Sequence, residues 1–168
     1  MALADVLLPE FDHEVATTRR LLERLPQAQL AWRPHAKSMT LQALATHIGQ
    51  LGVWGALTIG QHGVDLEEMG RLSEADMPAT RDALMAAFDE KMGRARAALS
   101  GRTDAELMAP WTLRRGGREF FTLPRAACWR TFVMNHLIHH RGQLSVYLRA
   151  LDVPLPSIYG PSADEPSA

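Results

Sequence analysis

The sequence has little of what would tie a protein to a membrane, a nucleic acid or an oxidising compartment. It contains one cysteine, Cys128, in 168 residues, so no internal disulfide can form, which fits a reducing cytoplasm. No apolar run reaches the ~18 residues of a membrane-spanning helix, and the first residues lack the basic segment of a signal peptide. The net charge is −1, which favours neither nucleic acid nor an anionic membrane. We therefore expect a soluble cytoplasmic protein without membrane or nucleic-acid partners.

The length and composition that are present suit one globular domain. The chain is 46% hydrophobic and 22% charged, which is ordinary for a folded protein of this size. We expect a single domain over residues 1–168. Prolines that follow Val153 cannot continue a helix. The last part, about residues 155–168, is therefore predicted to be an extended or mobile tail, with mobility from Ser162 onward.

Four stretches carry apolar residues at alternating spacings of three and four, the pattern of an amphipathic helix. The second stretch opens with Thr40, whose hydroxyl suits the helix N-cap. The fourth follows Pro124, because proline favours the first turn of a helix. The sequence therefore predicts an all-α fold with helices over residues 3–25, 40–59, 80–99 and 124–151.

Two segments between the predicted helices differ from this pattern. Two short β-prone runs flank Arg115, Gly116 and Gly117, which predicts a β-hairpin packed against the helices before the last one. Residues 61–79 have no clear period, although a short helical turn around residues 66–69 is compatible with them. Such a long connection often covers a site or crosses a bundle.

The last predicted helix carries two histidines on its apolar side. At about 100° per residue, His136 and His140 fall in one sector with Trp129, Val133 and Leu144. Burying two imidazoles together is unfavourable without partners, and a metal ion between them would resolve the problem. Hydrogen-bonded histidines at the edge of the core would resolve it too. On spacing alone both interpretations stay open.

A third histidine lies on the inner side of the second predicted helix. His47 is flanked a turn away by apolar residues of that helix. Gly49, Gly52 and Gly55 follow, and each costs about 1 kcal/mol in a helix interior relative to alanine. These glycines indicate that another helix or a ligand approaches closely.

The second helix is also apolar on more than one side. Val53, Trp54 and Leu57 have no evident partner within one bundle. Because large exposed apolar patches usually mark interfaces, this second face predicts a homodimer.

Several motifs together resemble the DinB family, and the resemblance covers nearly the whole chain. The most specific is Asn135–Leu144, NHLIHHRGQL. The others are Trp32–Thr40, Leu44–His47, the hairpin over residues 111–122, and Ile158–Ser162. The resemblance implies an up-down-down-up four-helix bundle in which a histidine triad holds a divalent metal ion.

The triad that the motifs imply is His47, His136 and His140. His139 is left out because it points roughly 100° from the centre of the core face. Zinc, nickel and iron all suit nitrogen ligands. The resemblance also implies a low-molecular-weight thiol as a substrate, since relatives include thiol-dependent transferases, and expression induced by stress or DNA damage, which the family name records.

The leading hypothesis is a divalent-metal-dependent enzyme that acts on a small molecule, as a thiol transferase or a hydrolase. Three histidines leave at least one coordination position for water or substrate, as in catalytic zinc sites. The alternative is a non-catalytic dimeric metal-binding or interaction module of a stress response. No general base is evident: Glu14, Asp89 and Tyr147 are nominees, and for each a structural role competes, with Glu14 and Asp89 read as solvated flanks.

Overall fold

The computed structural model describes residues 2–69 and 76–165, and four long helices dominate them. Each of the first three is a regular α-helix, whereas in the fourth a π-helical segment joins a short α-helix to a longer one. The bundle with a hairpin before its last helix is confirmed. The helices are α1 (Leu3–Leu22), α2 (Leu41–Gly60), α3 (Arg81–Leu99), the short α4 (Asp104–Met108), α5 (Arg125–Cys128), the π-helical segment (Trp129–Asn135) and α6 (His136–Ala150).

The helices follow a ring in which α2 is a neighbour of both α3 and α6, and α1 is likewise a neighbour of both. The spacing predicted for the third stretch is confirmed in α3, where five apolar residues three or four positions apart form a buried stripe. The predicted cap of α2 is also confirmed, since the Thr40 hydroxyl accepts a hydrogen bond from the Ala43 N–H at 3.1 Å. The stripe of α3 comprises Leu84, Phe88, Met92, Ala95 and Leu99.

The glycines of α2 mark the contact with α3. A Cβ atom on Gly52 would lie 2.5 Å from the Lys91 carbonyl oxygen, and one on Gly55 would lie 2.9 Å from the Ala95 Cβ. No side chain fits at such distances, so glycine lets the two backbones approach each other. The close approach predicted from these residues is therefore confirmed, with a helix as the neighbour.

The predicted hairpin is the larger part of a three-stranded sheet. Strands β2 (Pro110–Arg115) and β3 (Arg118–Pro124) are antiparallel, and β1 (Gly63–Asp65) pairs in parallel with β2. Gly116 and Gly117 form the turn with φ of 56° and 77°, which glycine adopts without strain. β1 was missed, because three residues are too few to show a period of two. The connection does turn at residues 66–69, and its residues 70–75 lie outside the described part of the chain.

The sheet covers the second apolar face of α2. Trp54 and Leu57 pack against a small cluster that Val64 and Trp111 form with their buried neighbours. The expectation that they lack a partner was wrong, because the small sheet is their partner. These residues therefore no longer support a homodimer.

Two charged residues occupy buried positions that the apolar pattern assigned to solvent or left out. Glu14 in α1 is 5% exposed and Arg141 in α6 is 1% exposed. The interpretation of Glu14 as a solvated flank was wrong. Each side chain neutralises the charge of the other, so both can be buried. A prediction from hydrophobicity alone places the buried faces of the two helices elsewhere.

The buried face of the last helix is also rotated from the predicted one. Its centre is formed by Leu137, Arg141 and Leu148, and His136 is half-buried at the edge. A π-turn holds more residues than an α-turn, so residues before and after Trp129–Asn135 do not share one 100° register. Placing the whole helix on one wheel was therefore wrong for His136, although Trp129, Val133, His140 and Leu144 are buried as predicted.

Beyond α6 the chain runs extended back along the bundle. The Tyr159 hydroxyl donates to the Glu14 carboxylate at 2.9 Å, and Glu165 accepts from Arg24 at 3.0 Å. Residues 166–168, the end of the segment predicted to be mobile, lie outside the described residues. Within residues 2–69 and 76–165, no helix is long and apolar enough to cross a membrane.

Candidate metal centre

Three histidines from two helices converge between α2 and α6. His47 comes from the middle of α2, and His136 and His140 are one turn apart at the start of α6. Their ring centroids lie 5.1 Å (His47 to His136), 4.5 Å (His47 to His140) and 4.6 Å (His136 to His140) apart. One ring nitrogen from each residue lies within 4.8 Å of those of the others. The structure thus brings together all three histidines that the sequence indicated.

The distances match the requirements of an ion. Nε2 of His47 and Nε2 of His136 are 3.2 Å apart. Two nitrogens bound at ~2.0–2.1 Å to a tetrahedral ion would be roughly 3.3–3.4 Å apart. The spacing of these two atoms is thus compatible with two ligands of one ion, and equally with a hydrogen bond between the two neutral imidazoles.

Hydrogen bonds orient two of the rings. Nδ1 of His140 donates to Oε1 of Gln143 at 2.7 Å, which leaves Nε2 with a free lone pair. The Phe132 carbonyl accepts a hydrogen bond from His136. Because Nε2 of His136 faces His47, that hydrogen bond comes from Nδ1. Such partners fix the tautomer and the direction of a ligating imidazole.

The surroundings keep the histidines unprotonated. Burial, followed by the neighbouring His140 and His136, lowers the pKa of His47 to about 4. The pKa of His136 is lowered by burial and then by His140, although the hydrogen bond to Phe132 opposes the shift. Burial also lowers the pKa of His140 against the hydrogen bond to Gln143. At neutral pH the cluster therefore offers three neutral imidazoles, the form that binds metals.

His139 lies outside the cluster, as expected. Its side chain is exposed, and its ring meets His140 from the side at a centroid distance of 4.8 Å. Although it is in the same motif, it has no ring nitrogen in the group of three. It therefore serves as a natural control for the neighbouring His140.

A cavity of about 760 Å³ lies against α2 beside the cluster and reaches it through His47. The predicted long connection contributes to its wall, with Leu66 and Met69 before residues 70–75 and Met77 after them. The volume is that of an ordinary small-molecule site. Its described walls are Met39, Ala43, Thr46, His47, Gln50, Val53, Trp54, Leu66, Met69, Asp76, Met77 and Arg115.

None of the three nominees for a general base is part of the described cavity wall. Glu14 is buried in its ion pair. Asp89 is exposed and accepts hydrogen bonds from Arg19, so reading it as a solvated flank is confirmed. Tyr147 packs edge-on against Trp32 at 5.7 Å. The contacts of all three residues are those of structural residues.

The Glu14–Arg141 pair is the most deeply buried ion pair in the described chain. Nη1 of Arg141 lies 2.5 Å from Oε2 of Glu14, with the two side chains 1% and 7% exposed. Tyr159 donates its hydroxyl to the same carboxylate, and its ring lies 4.8 Å from Cζ of Arg141. The terminal segment thus covers a charge pair next to the helix turn that carries His140.

Sequence reasoning missed several residues around the site. Gln143 could have been found, because a polar residue three positions after a ligating histidine can reach its ring. Thr46, Gln50 and Arg115 could not, since only the packing of the connection and the sheet onto α2 brings them to one cavity. The burial of Arg141 could not be predicted either, because a charged residue does not contribute to an apolar pattern.

Fold and site together define a class: a four-helix bundle with a cluster of three histidines between two of its helices. A family model described as the DinB superfamily matches residues 10–144. The chain therefore belongs to the DinB superfamily. No functionally curated protein matches the sequence.

Solved structures with the same fold are similar over almost the whole chain. A DinB-like protein from Bacillus cereus is 22% identical, with a TM-score of 0.69 over 90% of this chain and 95% of its own. The DinB-like protein YjoA from Bacillus subtilis is 20% identical, with the same TM-score and coverage. YfiT from Bacillus subtilis, described as a probable metal-dependent hydrolase with an unusual four-helix bundle topology, is 17% identical. Its TM-score is 0.63 over 89% of this chain and 88% of its own.

Proposed function

We propose that the protein is a divalent-metal-dependent enzyme that acts on a small molecule, with the ion bound by His47, His136 and His140. The observation that carries the proposal is the convergence of these three imidazoles beside a cavity, with two of their nitrogens 3.2 Å apart. Three protein ligands leave one position of a tetrahedral ion for a substrate atom, as in catalytic zinc sites. Zinc, nickel and iron all accept such a donor set.

The chain's own residues supply binding and orientation. The three neutral rings donate lone pairs, and Gln143 and the Phe132 carbonyl hold two of them in direction. The cavity wall of α2 presents a substrate to His47. A bound ion would supply Lewis-acid chemistry, by polarising an oxygen or by lowering the pKa of a water or thiol.

Hydrolysis is the first reaction type, and its support is the description of YfiT as a probable metal-dependent hydrolase. Transfer of a low-molecular-weight thiol is the second. Its support is the donor set, because a divalent ion with nitrogen ligands also binds thiolate well. Both reactions need the same open position on the ion, so only assays of the two reactions can distinguish them.

The experiment uses protein stripped with a chelator and reloaded with zinc, nickel or ferrous iron. Hydrolysis of 4-nitrophenyl esters and conjugation of cysteine to an electrophilic dye would be followed for the wild type, His140→Ala and His139→Ala. We expect metal-dependent turnover in the wild type and in His139→Ala, and its loss in His140→Ala. Turnover that survives both chelation and His140→Ala would contradict the proposal.

A non-catalytic dimeric metal-binding or interaction module of the stress response is the competing proposal. It differs in one outcome: metal binding without turnover of either substrate class. A cytoplasmic location and induction by stress or DNA damage belong to both proposals. Measuring the transcript after DNA damage tests the induction. The homodimer stays a prediction, tested by sedimentation, where a monomer at micromolar concentration would contradict it.

A further inference from the structure

We propose that the cavity beside His47 binds an amphipathic organic anion: a small molecule with an apolar body and one oxyanion group, which Arg115 recognises. The inference rests on the proposed function, because the other polar end of the cavity is the candidate metal centre. It adds the class of substrate, which neither the fold nor the histidines define.

One face of α2 forms a wall that changes character along its length. Thr46, His47 and Gln50 are polar, whereas Val53 and Trp54, two turns further on, are apolar. These positions are three and four apart, so they share one side of the helix. At ~1.5 Å per residue, His47 and Trp54 are separated by roughly 10 Å along the axis. The wall therefore offers its apolar part, Val53 and Trp54, to the body of a ligand, and its polar part borders the candidate metal centre.

Other parts of the cavity lining are apolar and adaptable. Met39, Leu66, Met69 and Met77 contribute to it. Methionine side chains are flexible and polarisable, so they fit apolar ligands of varied shape. The apolar body of a ligand would therefore pack against these side chains.

Arg115 supplies a positive charge to the cavity. It ends β2 directly opposite Arg118 of β3, a pair of like charges that destabilises a hairpin. Neither arginine forms an ion pair with an acidic side chain among residues 2–69 and 76–165. Asp76, the acidic residue of the described wall, already has an interaction of its own. A guanidinium binds carboxylate or phosphate through two parallel hydrogen bonds, so Arg115 can receive the oxyanion of a ligand in this cavity.

The test measures binding to metal-free protein, so that a carboxylate cannot bind to an ion instead. Calorimetry in a chelator at pH 8 would compare octanoate and octyl phosphate with 1-octanol and octylamine. We expect one or both anions to bind at least about tenfold more tightly than the alcohol, and the amine to bind most weakly. Equal affinity for anion and alcohol in the wild-type protein would overturn the proposal without any variant.

Two variants locate the charge. Arg115→Gln is expected to weaken anion binding about tenfold while leaving octanol binding unchanged. Arg114→Gln is the matched control, because it removes the same charge from the next residue, which points to the opposite face of the strand. Equal loss in both variants would contradict recognition by Arg115, and circular dichroism checks that each remains folded.

The result is separable from the metal proposal. Zinc binding is measured on the same Arg115→Gln protein, where we expect it to be unchanged. Anion binding that depends on Arg115 in a protein without zinc affinity would sink the metal proposal and keep the ligand class. Zinc binding with no preference for an anion would do the reverse.

Discussion

At the scale of single residues, the histidine cluster is a set of groups whose pKa values differ between the folded and the unfolded chain. Burial holds the pKa of His47 near about 4 and lowers those of His136 and His140. An unfolded histidine has a pKa near ~6.5. Between these values the unfolded chain binds more protons than the folded one, so acid favours unfolding.

We therefore expect the free energy of unfolding of the metal-free protein to fall as the pH drops from about 6.5 toward about 4. Acidic groups with a lowered pKa do not affect stability in this window, because their contribution changes at lower pH. The Thr103 backbone and Arg102 hold the pKa of Glu106 at about 2, so its contribution to stability is lost only below its ordinary pKa of 4.5. Urea unfolding at a series of pH values measures the effect. A flat profile between pH 6.5 and 5 would contradict the buried, neutral cluster.

The same shifts alter the expected pH dependence of metal binding. Protons compete with the ion for the ring nitrogens. Since the folded cluster resists protonation, we expect zinc affinity to persist below pH 6.5 and to be lost nearer pH 5. Zinc titrations at pH 7.5, 6.5 and 5.5 measure this. Affinity that is already halved at pH 6.5 would indicate ordinary, solvent-exposed imidazoles.

Glu14 and Arg141 form a second residue-scale unit, and neither can be changed alone without leaving a buried charge. We expect Glu14→Gln to lower the free energy of unfolding by about 3–5 kcal/mol, because Arg141 remains buried without its partner. The control is Asp12→Asn, which breaks an exposed pair with Arg96 and should cost less than about 1 kcal/mol. Equal, small losses in urea unfolding would contradict the burial of the pair.

At the scale of elements, the sequence predicts well where one kind of force acts alone. The stripe of α3 is purely apolar, so its period places five of the six core residues of this helix and misses only Met85. The hairpin was predictable from Gly116 and Gly117, because its turn requires positive φ values, which glycine adopts readily. The face of α6 was less predictable, since Arg141 is buried through an ion pair and the π-helical segment breaks the register.

The candidate site divides in the same way. The positions of His136, His140 and His47 on inner helix faces follow from periodicity, and the family motifs add that the three act together. Thr46 and Arg115 depend on how a connection and a sheet fold onto α2, and no local pattern encodes that. Reactive groups on a regular helix are thus predictable, whereas the walls that select a ligand are not.

The contact of α2 with α3 gives a prediction at this scale. Gly52→Ala is expected to destabilise the protein by about 1–3 kcal/mol, because its Cβ would meet the Lys91 carbonyl and force the helices apart. Gly93→Ala in α3 is the matched control. A Cβ there meets nothing within 4 Å, so the change should be neutral or stabilise by up to about 1 kcal/mol. Thermal unfolding of both variants measures the difference, and a stable Gly52→Ala protein would contradict the close approach.

At the scale of the whole molecule, the ring of helices makes α2 a neighbour of α6 and so brings together histidines 89 residues apart. The sheet covers the other face of α2, and the terminal segment closes over α1 and α6. The candidate centre therefore depends on the packing of two helices that are far apart in the sequence.

This arrangement predicts a role for the terminal segment in stability. Deleting residues 157–168 would remove Tyr159 from the Glu14 carboxylate and expose the ion pair to water. We expect a loss of about 1.5–3 kcal/mol in urea unfolding, the usual value of a hydrogen bond to a charged group. Indistinguishable stabilities would contradict the closure.

The central claim is that one divalent ion is bound by His47, His136 and His140. The most direct measurement is zinc stoichiometry and affinity by calorimetry on chelator-treated protein, for the wild type, His140→Ala, His139→Ala and the His47→Ala, His140→Ala double variant. We expect one ion per chain in the wild type and in His139→Ala, strongly reduced binding in His140→Ala, and none in the double variant. Full zinc binding by the double variant, or loss of binding in His139→Ala with retention in His140→Ala, would contradict the account.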